Sequence, residues 1–303
     1  MSTPLTLETF PEIEGPRVAL LADLLGELDA DADRRHRCRA EGRPLGPVPP
    51  LPELAEELGG EFPIGLAILH GSPGSGKTAF ALQSSACCQC PALYVTFEMS
   101  PVELLRRITA RVTRTYLGKL KSGEFTPAHI RGLAMKAAEA CSNLAILDGT
   151  RGPVDLASIE AAAGALRGRI GGDHLFIVVD SLHAWADAEQ GDAGEYESIG
   201  AVCRALGQLA ERQGAAVLAI AERNRANSSK HRKTTDHLAA GAGSRKLEYK
   251  AEAVLSLESD PDALPDISGA ATVTLTIAKN RNGSPGKELE LKFTGKLQEF
   301  TEA

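Results

Sequence analysis

The sequence predicts an α/β fold: a mostly parallel, twisted sheet flanked by helices, with antiparallel strands at its C-terminal end and a short helical N-terminal extension. Three observations carry this. Short apolar runs at 66–69, 92–97 and 176–179 read as buried strands, and helical stretches follow the first two. Each run leads into groups suited to a phosphate or a metal: a Gly-rich turn, Glu98 or Asp180. Near the C-terminus the pattern changes to period two, placing Val273, Leu275 and Ile277 on one face.

The bulk numbers set limits. With 303 residues, 43% hydrophobic and 24% charged, the chain can bury a real core as one large domain plus an appendage, or as two small domains. No apolar run approaches the roughly 18 to 20 residues of a membrane span, and no basic-then-apolar leader opens the sequence. A cytoplasmic protein with no membrane partner is expected. The net charge of −7 argues against a protein that coats nucleic acid generally, yet leaves a local basic groove open.

Residues 1–54 read as an N-terminal helix and linker, and residues 55–303 as the main domain. Val18, Leu21, Leu25 and Leu28 fall at 3-4-3 spacing, a helical stripe. Aspartates at 29–33 precede basic residues at 34–39, the order a helix dipole favours. "GRPLGPVPPLPEL" then reads as a stiff, proline-rich connection.

The first buried run enters "HGSPGSGKTAF", in which Gly71 and Gly76-Lys77-Thr78 match G-x-x-x-x-G-K-[ST]. Strand, Gly-rich turn and helix is the context this phosphate-binding loop requires. Gly71, Gly74 and Gly76 let backbone N–H groups turn inward, and the following helix adds its positive end. Ser72, Pro73, Gly74, Ser75, Gly76, Lys77 and Thr78 are therefore expected to bind ATP, with Lys77 at the β- and γ-phosphates and the Thr78 hydroxyl on Mg²⁺. Cys87, Cys88 and Cys90 close the helix. No second Cys or His pair stands nearby at zinc spacing, so they read as small, semi-apolar residues, with a metal or redox role as the alternative.

The second run ends at Glu98, placed to polarise a water for attack on a γ-phosphate. Ser100, Pro101 and Glu103 then read as a helix start: N-cap, first-turn proline and capping-box glutamate. The third run ends at Asp180, the Walker B pattern, in which the carboxylate holds Mg²⁺ through its water shell.

Taken in order, "GSPGSGKTAFALQ", "VTFEMSPVELLRRI", "LAILDGT", "FIVVDSLHAW", "VLAIAERNR", "GAGSRKLEYKAEAVLSL" and "IAKNRNGSPGKELELKF" resemble the C-terminal ATPase domain of DnaB-like replicative helicases, within the RecA-like superfamily. The combination of "FEMS" and "KNRNG" with a phosphate-binding loop is the specific part. The resemblance implies a RecA-like P-loop NTPase core. It also implies a homo-oligomeric ring, a hexamer, acting on single-stranded DNA. In such rings a Lys-x-Arg pair reaches the neighbouring subunit's nucleotide. Lys279 and Arg281 would thus be catalytic in trans, spreading positive charge over the γ-phosphate; read alone, they are a solvated strand end beside a hairpin. They are expected to continue the face of Val273, Leu275 and Ile277. Residues 223–246 carry seven basic side chains against one acidic, Asp236, and read as a mobile loop. In the family the matching loop grips a single strand, which makes Arg225, Lys230, Arg232 and Lys233 the nucleic-acid candidates; a solvated basic loop is the other reading.

Three features depart from that pattern. Glu222 stands where the family has a phosphate-sensing glutamine, and a carboxylate there repels phosphate unless protonated or paired. The expected loop at 182–198 carries five acids and no lysine or arginine, unsuited to a second DNA contact. The long helical N-terminal domain of replicative members is also expected to be missing, with the leucine stripe packing on a neighbouring subunit or on its own domain. The expectation is an ATP-hydrolysing ring helicase or translocase in DNA replication or repair. The alternative is a RecA-fold regulatory or repair ATPase of the RadA or KaiC kind. A small-molecule P-loop kinase fits poorly, because it leaves "KNRNG" unused.

Overall fold

The computed structural model describes residues 19–188, 195–222, 250–259, 266–267 and 269–303. It divides into two compact units, 1–45 and 46–303. In the first, a 3-10 turn (Leu21–Leu24) leads into α1 (Leu25–Ala40). Asp31 accepts hydrogen bonds from Arg34 at 2.7 Å and Arg35 at 2.9 Å, one helical turn on. These two guanidinium groups hold the Asp31 carboxyl below its ordinary range. Leu21, Leu25 and Leu28 are exposed.

The second unit is built on one nine-stranded sheet in the order β3-β2-β4-β5-β1-β6-β7-β8-β9. Its parallel part comprises β1 (Gly65–Gly71), β2 (Ala92–Thr96), β3 (Leu144–Asp148), β4 (Phe176–Asp180), β5 (Ala216–Glu222) and β6 (Ala253–Ser259). β7 (Ala271–Asn280), β8 (Glu288–Thr294) and β9 (Glu299–Glu302) continue it antiparallel, as expected. The apolar runs are strands because both faces of the sheet are covered. Alternate residues enter different cores: Ala67, Leu69, Phe176 and Val178 one, Leu66, Ile68, Ile177 and Val179 the other. The first core is roofed by α2 (Pro52–Glu57), α3 (Lys77–Cys87), α4 (Pro101–Val112) and α5 (Pro127–Ala140). The second is closed by α6 (Leu156–Ile170), α7 (Leu182–Ala188) and α8 (Glu195–Gln213). Part of the segment expected as an acidic loop is thus the helix α7, whose Leu182, Trp185 and Ala186 are core residues.

The start of α4 follows the reading in part. Ser100 caps it, accepting from the Glu103 N–H, and Pro101 opens the first turn. The Glu103 carboxylate turns away, however, to accept from Lys121 at 2.6 Å and to pair with Arg107 at 3.5 Å. An ammonium and a guanidinium are stronger donors than a lone backbone N–H.

One expectation is overturned. Leu255 pairs with Ile277, but Val254 pairs with Lys279, so Ala278 is an extra residue in β7. Such a bulge reverses the alternation downstream. Ile277 lies in the first core, whereas Val254, opposite Lys279, lies in the second. Lys279 and Arg281 therefore leave the face of Val273, Leu275 and Ile277 and share the opposite one. Asn280, between them, is buried on the first face and donates to the Glu57 carbonyl at 2.9 Å.

Candidate active site

The phosphate-binding loop joins the central strand β1 to α3, where the sheet order reverses its sense of winding. Gly74 and Gly76 adopt φ of +85° and +91°, which L side chains rarely reach. At Gly71 a Cβ would lie 2.5 Å from the Leu257 carbonyl oxygen, so only glycine lets the loop fold back there. At Gly76 it would lie 2.7 Å from the Phe300 ring, which stacks on Phe293. Gln83 of α3 completes this clamp, donating to the Phe300 carbonyl at 2.9 Å and accepting from its N–H at 2.8 Å. The C-terminal strands thus hold the helix whose first turn faces the site.

Lys77 Nζ donates to the Gly71 and Ser72 carbonyls at 2.8 Å and 3.0 Å. Burial lowers its pKa, opposed by the carboxylates of Glu222, Asp180 and Glu98 in that order. Thr78 Oγ1 donates to Asp180 Oδ2 at 3.0 Å, across 102 residues of sequence. Asp180 is buried, and its carboxyl is pushed above the usual range by desolvation, against the hydrogen bonds from Tyr94 and Thr78. Glu98 follows β2, and its Oε1 accepts from the Ser181 hydroxyl at 2.6 Å. Glu222 ends β5 directly opposite Gly71, so this carboxylate stands at the level of the loop. The expected residues therefore converge: Ser72–Thr78, Glu98, Asp180 and Glu222 meet at the C-terminal rim of β1, β2, β4 and β5.

A polyphosphate carried with a divalent cation fits this rim, the first observation bearing on the phosphate and the second on the cation. The Ser75 hydroxyl is buried with no hydrogen-bond partner among the described residues, a donor awaiting an acceptor. One ammonium also faces three carboxylates, an arrangement that a divalent cation would balance. Thr78 and Asp180 offer two hard oxygen ligands, enough for Mg²⁺, which takes most of its shell from water and phosphate. Among the described residues no group of three or more His, Cys, Asp or Glu could hold a metal ion by itself. The thiols at the end of α3 are packed: Cys88 and Cys90 are buried, and Cys88 Sγ contacts the Ser85 carbonyl at 3.2 Å.

Lys279 and Arg281 are elsewhere. Arg281 pairs with Glu252 at 2.8 Å and donates its backbone N–H to the Glu252 carbonyl. Glu252 lies level with Leu66 at the start of β1, about 16 Å from Gly71 at the usual strand rise. Because β7 runs antiparallel, its C-terminal end delivers both cations to the rim opposite the loop. The nucleic-acid candidates Arg225, Lys230, Arg232 and Lys233 lie outside the described residues. Sequence reasoning missed Tyr94, Ser181 and the Gln83–Phe300 clamp. A tyrosine in the middle of a buried strand was the available signal, since a buried phenol needs a partner.

Comparison with known proteins agrees with the geometry. The DnaB-like helicase C terminal domain matches residues 50–302. Replicative DNA helicase DnaB from Synechocystis sp. is 26% identical over 185 residues, covering 60% of this chain and 21% of that protein. The chain thus matches about a fifth of that relative's length. A solved ATPase domain superposes with a TM-score of 0.76 at 18% identity, over 95% of this chain and 100% of the other. A DnaB-like replicative helicase, solved with attention to its interactions with primase, gives 0.73 at 18% identity, over 95% and 68%. At such identities the structural likeness establishes the fold.

Proposed function

The chain belongs to the family of DnaB-like helicase C-terminal domains, and from that premise we propose that it hydrolyses ATP in a ring, a hexamer, that grips single-stranded DNA and moves along or unwinds DNA. The observation that carries this reading is the 3.0 Å contact of Thr78 with Asp180 beside Lys77. In the proposed reaction the loop's N–H groups and Lys77 hold the β- and γ-phosphates, and Lys77 exchanges its two carbonyl partners for phosphate oxygens. Thr78 and Asp180 would hold Mg²⁺, which would supply charge neutralisation at the phosphates. Glu98 orients a water and takes its proton as the water oxygen attacks the γ-phosphorus and the bond to the ADP oxygen breaks. Lys279 and Arg281 act on the neighbour's nucleotide, since they sit at the rim away from their own loop; Arg281 would exchange Glu252 for phosphate. Arg225, Lys230, Arg232 and Lys233 grip the strand's phosphates, a contact that salt weakens.

Glu222, opposite Gly71, favours a second reading: a RecA-fold regulatory or repair ATPase that couples ATP to assembly without unwinding. ATPase rate with and without single-stranded DNA, measured beside particle size in solution, separates the two. A ring strongly stimulated by DNA supports the helicase, an unstimulated ring supports the regulator, and a fully active monomer overturns both.

A further inference from the structure

Strands β2 and β4 lie side by side in register, with Thr96 opposite Asp180. Each supplies a hydroxyl to the carboxylate of the other. From β2, Tyr94 donates to Asp180 Oδ2 at 2.6 Å, the oxygen that Thr78 also reaches. From the residue after β4, Ser181 donates to Glu98 Oε1 at 2.6 Å. Both donors are buried, Tyr94 completely. Both bonds have the length of a hydroxyl donating to a carboxylate, roughly twice as strong as a neutral pair.

Ser181 Oγ also accepts from the Ala184 N–H at 3.4 Å at the start of α7, whereas the Tyr94 hydroxyl is not required by packing. A phenylalanine at 94 would fill the same volume in the core with Leu104 and Phe176, without a polar atom to satisfy. The tie answers a physical problem of the rim. Asp180 and Glu98, two like charges, stand at the ends of neighbouring strands on one rim. Each must nevertheless be held in one orientation, because a misplacement of about 1 Å can cost on the order of 100-fold in rate.

We infer that Tyr94 and Ser181 are positioning residues for ATP hydrolysis, Tyr94 aiming Asp180 at the metal and Ser181 aiming Glu98 at the attacking water. This rests on the roles proposed above for Asp180 and Glu98. Because the two ties serve different carboxylates, their losses have different signatures. Tyr94→Phe raises the Mg²⁺ concentration needed for tight nucleotide binding by about 10-fold, the usual effect of removing a partner of a metal ligand. Ser181→Ala lowers kcat by about 10- to 100-fold and leaves KM and nucleotide binding near the parent values.

The test uses the full chain. Binding of a fluorescent, non-hydrolysable ATP analogue is titrated with Mg²⁺ for the parent, Tyr94→Phe, Asp180→Asn and the double variant. Single-turnover hydrolysis is measured for the parent, Ser181→Ala, Glu98→Gln and their double variant. If each hydroxyl acts through its carboxylate, each double variant matches its carboxylate single variant, a non-additivity that general destabilisation would not produce. Full additivity in either cycle, or parent-like Mg²⁺ dependence in Tyr94→Phe beside a shifted Asp180→Asn, overturns the positioning role and leaves the reaction intact. Parent-like behaviour of Asp180→Asn and Glu98→Gln would instead overturn the proposed reaction, and the positioning role with it.

Discussion

The two rims of the parallel sheet differ in how their charges are held. At the C-terminal rim, Lys77, Asp180, Tyr94 and Ser181 are buried, with hydrogen bonds from Thr78 of α3 and Tyr94 of β2 to Asp180 of β4 and from Ser181 to Glu98. At the opposite rim, Arg281 meets Glu252 at the surface, its side chain 49% exposed. A buried network fixes geometry but makes each member expensive to lose, whereas an exposed ion pair is nearly neutral and easily exchanged. The first suits chemistry performed within one chain. The second suits a contact made and broken with another molecule.

Four measurements bear on this contrast. The largest effect is expected at the exposed rim: Arg281→Ala should lower ATP turnover by about 10³-fold while ATP binding stays near the parent value. Mixing Arg281→Ala with Lys77→Ala protein should restore part of the activity, because the mixed interfaces include some with an intact loop facing an intact arginine. No recovery, or normal hydrolysis by Arg281→Ala alone, would sink the in-trans role. At the buried rim, Glu98→Gln should cost about 10²-fold or more in kcat with nucleotide affinity unchanged; weakened binding at constant kcat would contradict its role as base.

Phe300→Ala comes next. It removes the ring against Gly76 and should destabilise the domain by about 3 to 5 kcal/mol, read from denaturant unfolding. A loss under about 1 kcal/mol would mean that the C-terminal strands do not clamp the loop. The smallest effect belongs to Glu252→Gln, which should change stability by about 0 to 1 kcal/mol. A larger loss would show that Arg281 is anchored in its own subunit and not held ready for exchange.

How much of this was legible beforehand varied with the range of the interaction. Gly71 to Thr78, Glu98 and Asp180 stood out because a turn, a strand end and a following helix are local patterns. The cap at Ser100 and Pro101 was readable for the same reason, yet the Glu103 partner was not, since Lys121 arrives from beyond α4. The alternation Val273, Leu275, Ile277 was correct as far as it ran. Its extension to Lys279 failed at Ala278, because a bulge depends on how β7 meets β6 and leaves no mark in period-two patterning.

The fold class, the phosphate-binding loop and the two acidic strand ends are legible in the order of residues alone. These follow from glycine's backbone freedom, from apolar periodicity and from carboxylates placed after buried runs. That β4 and β5 separate β2 from β1, and that Thr78 meets Asp180, follows from packing of the whole sheet. The same packing set the bulge at Ala278 and brought the end of β7, with Lys279 and Arg281, to the far rim. The physical reason is that strand order and direction are set by how two cores are filled at once, a condition that no short stretch of residues contains.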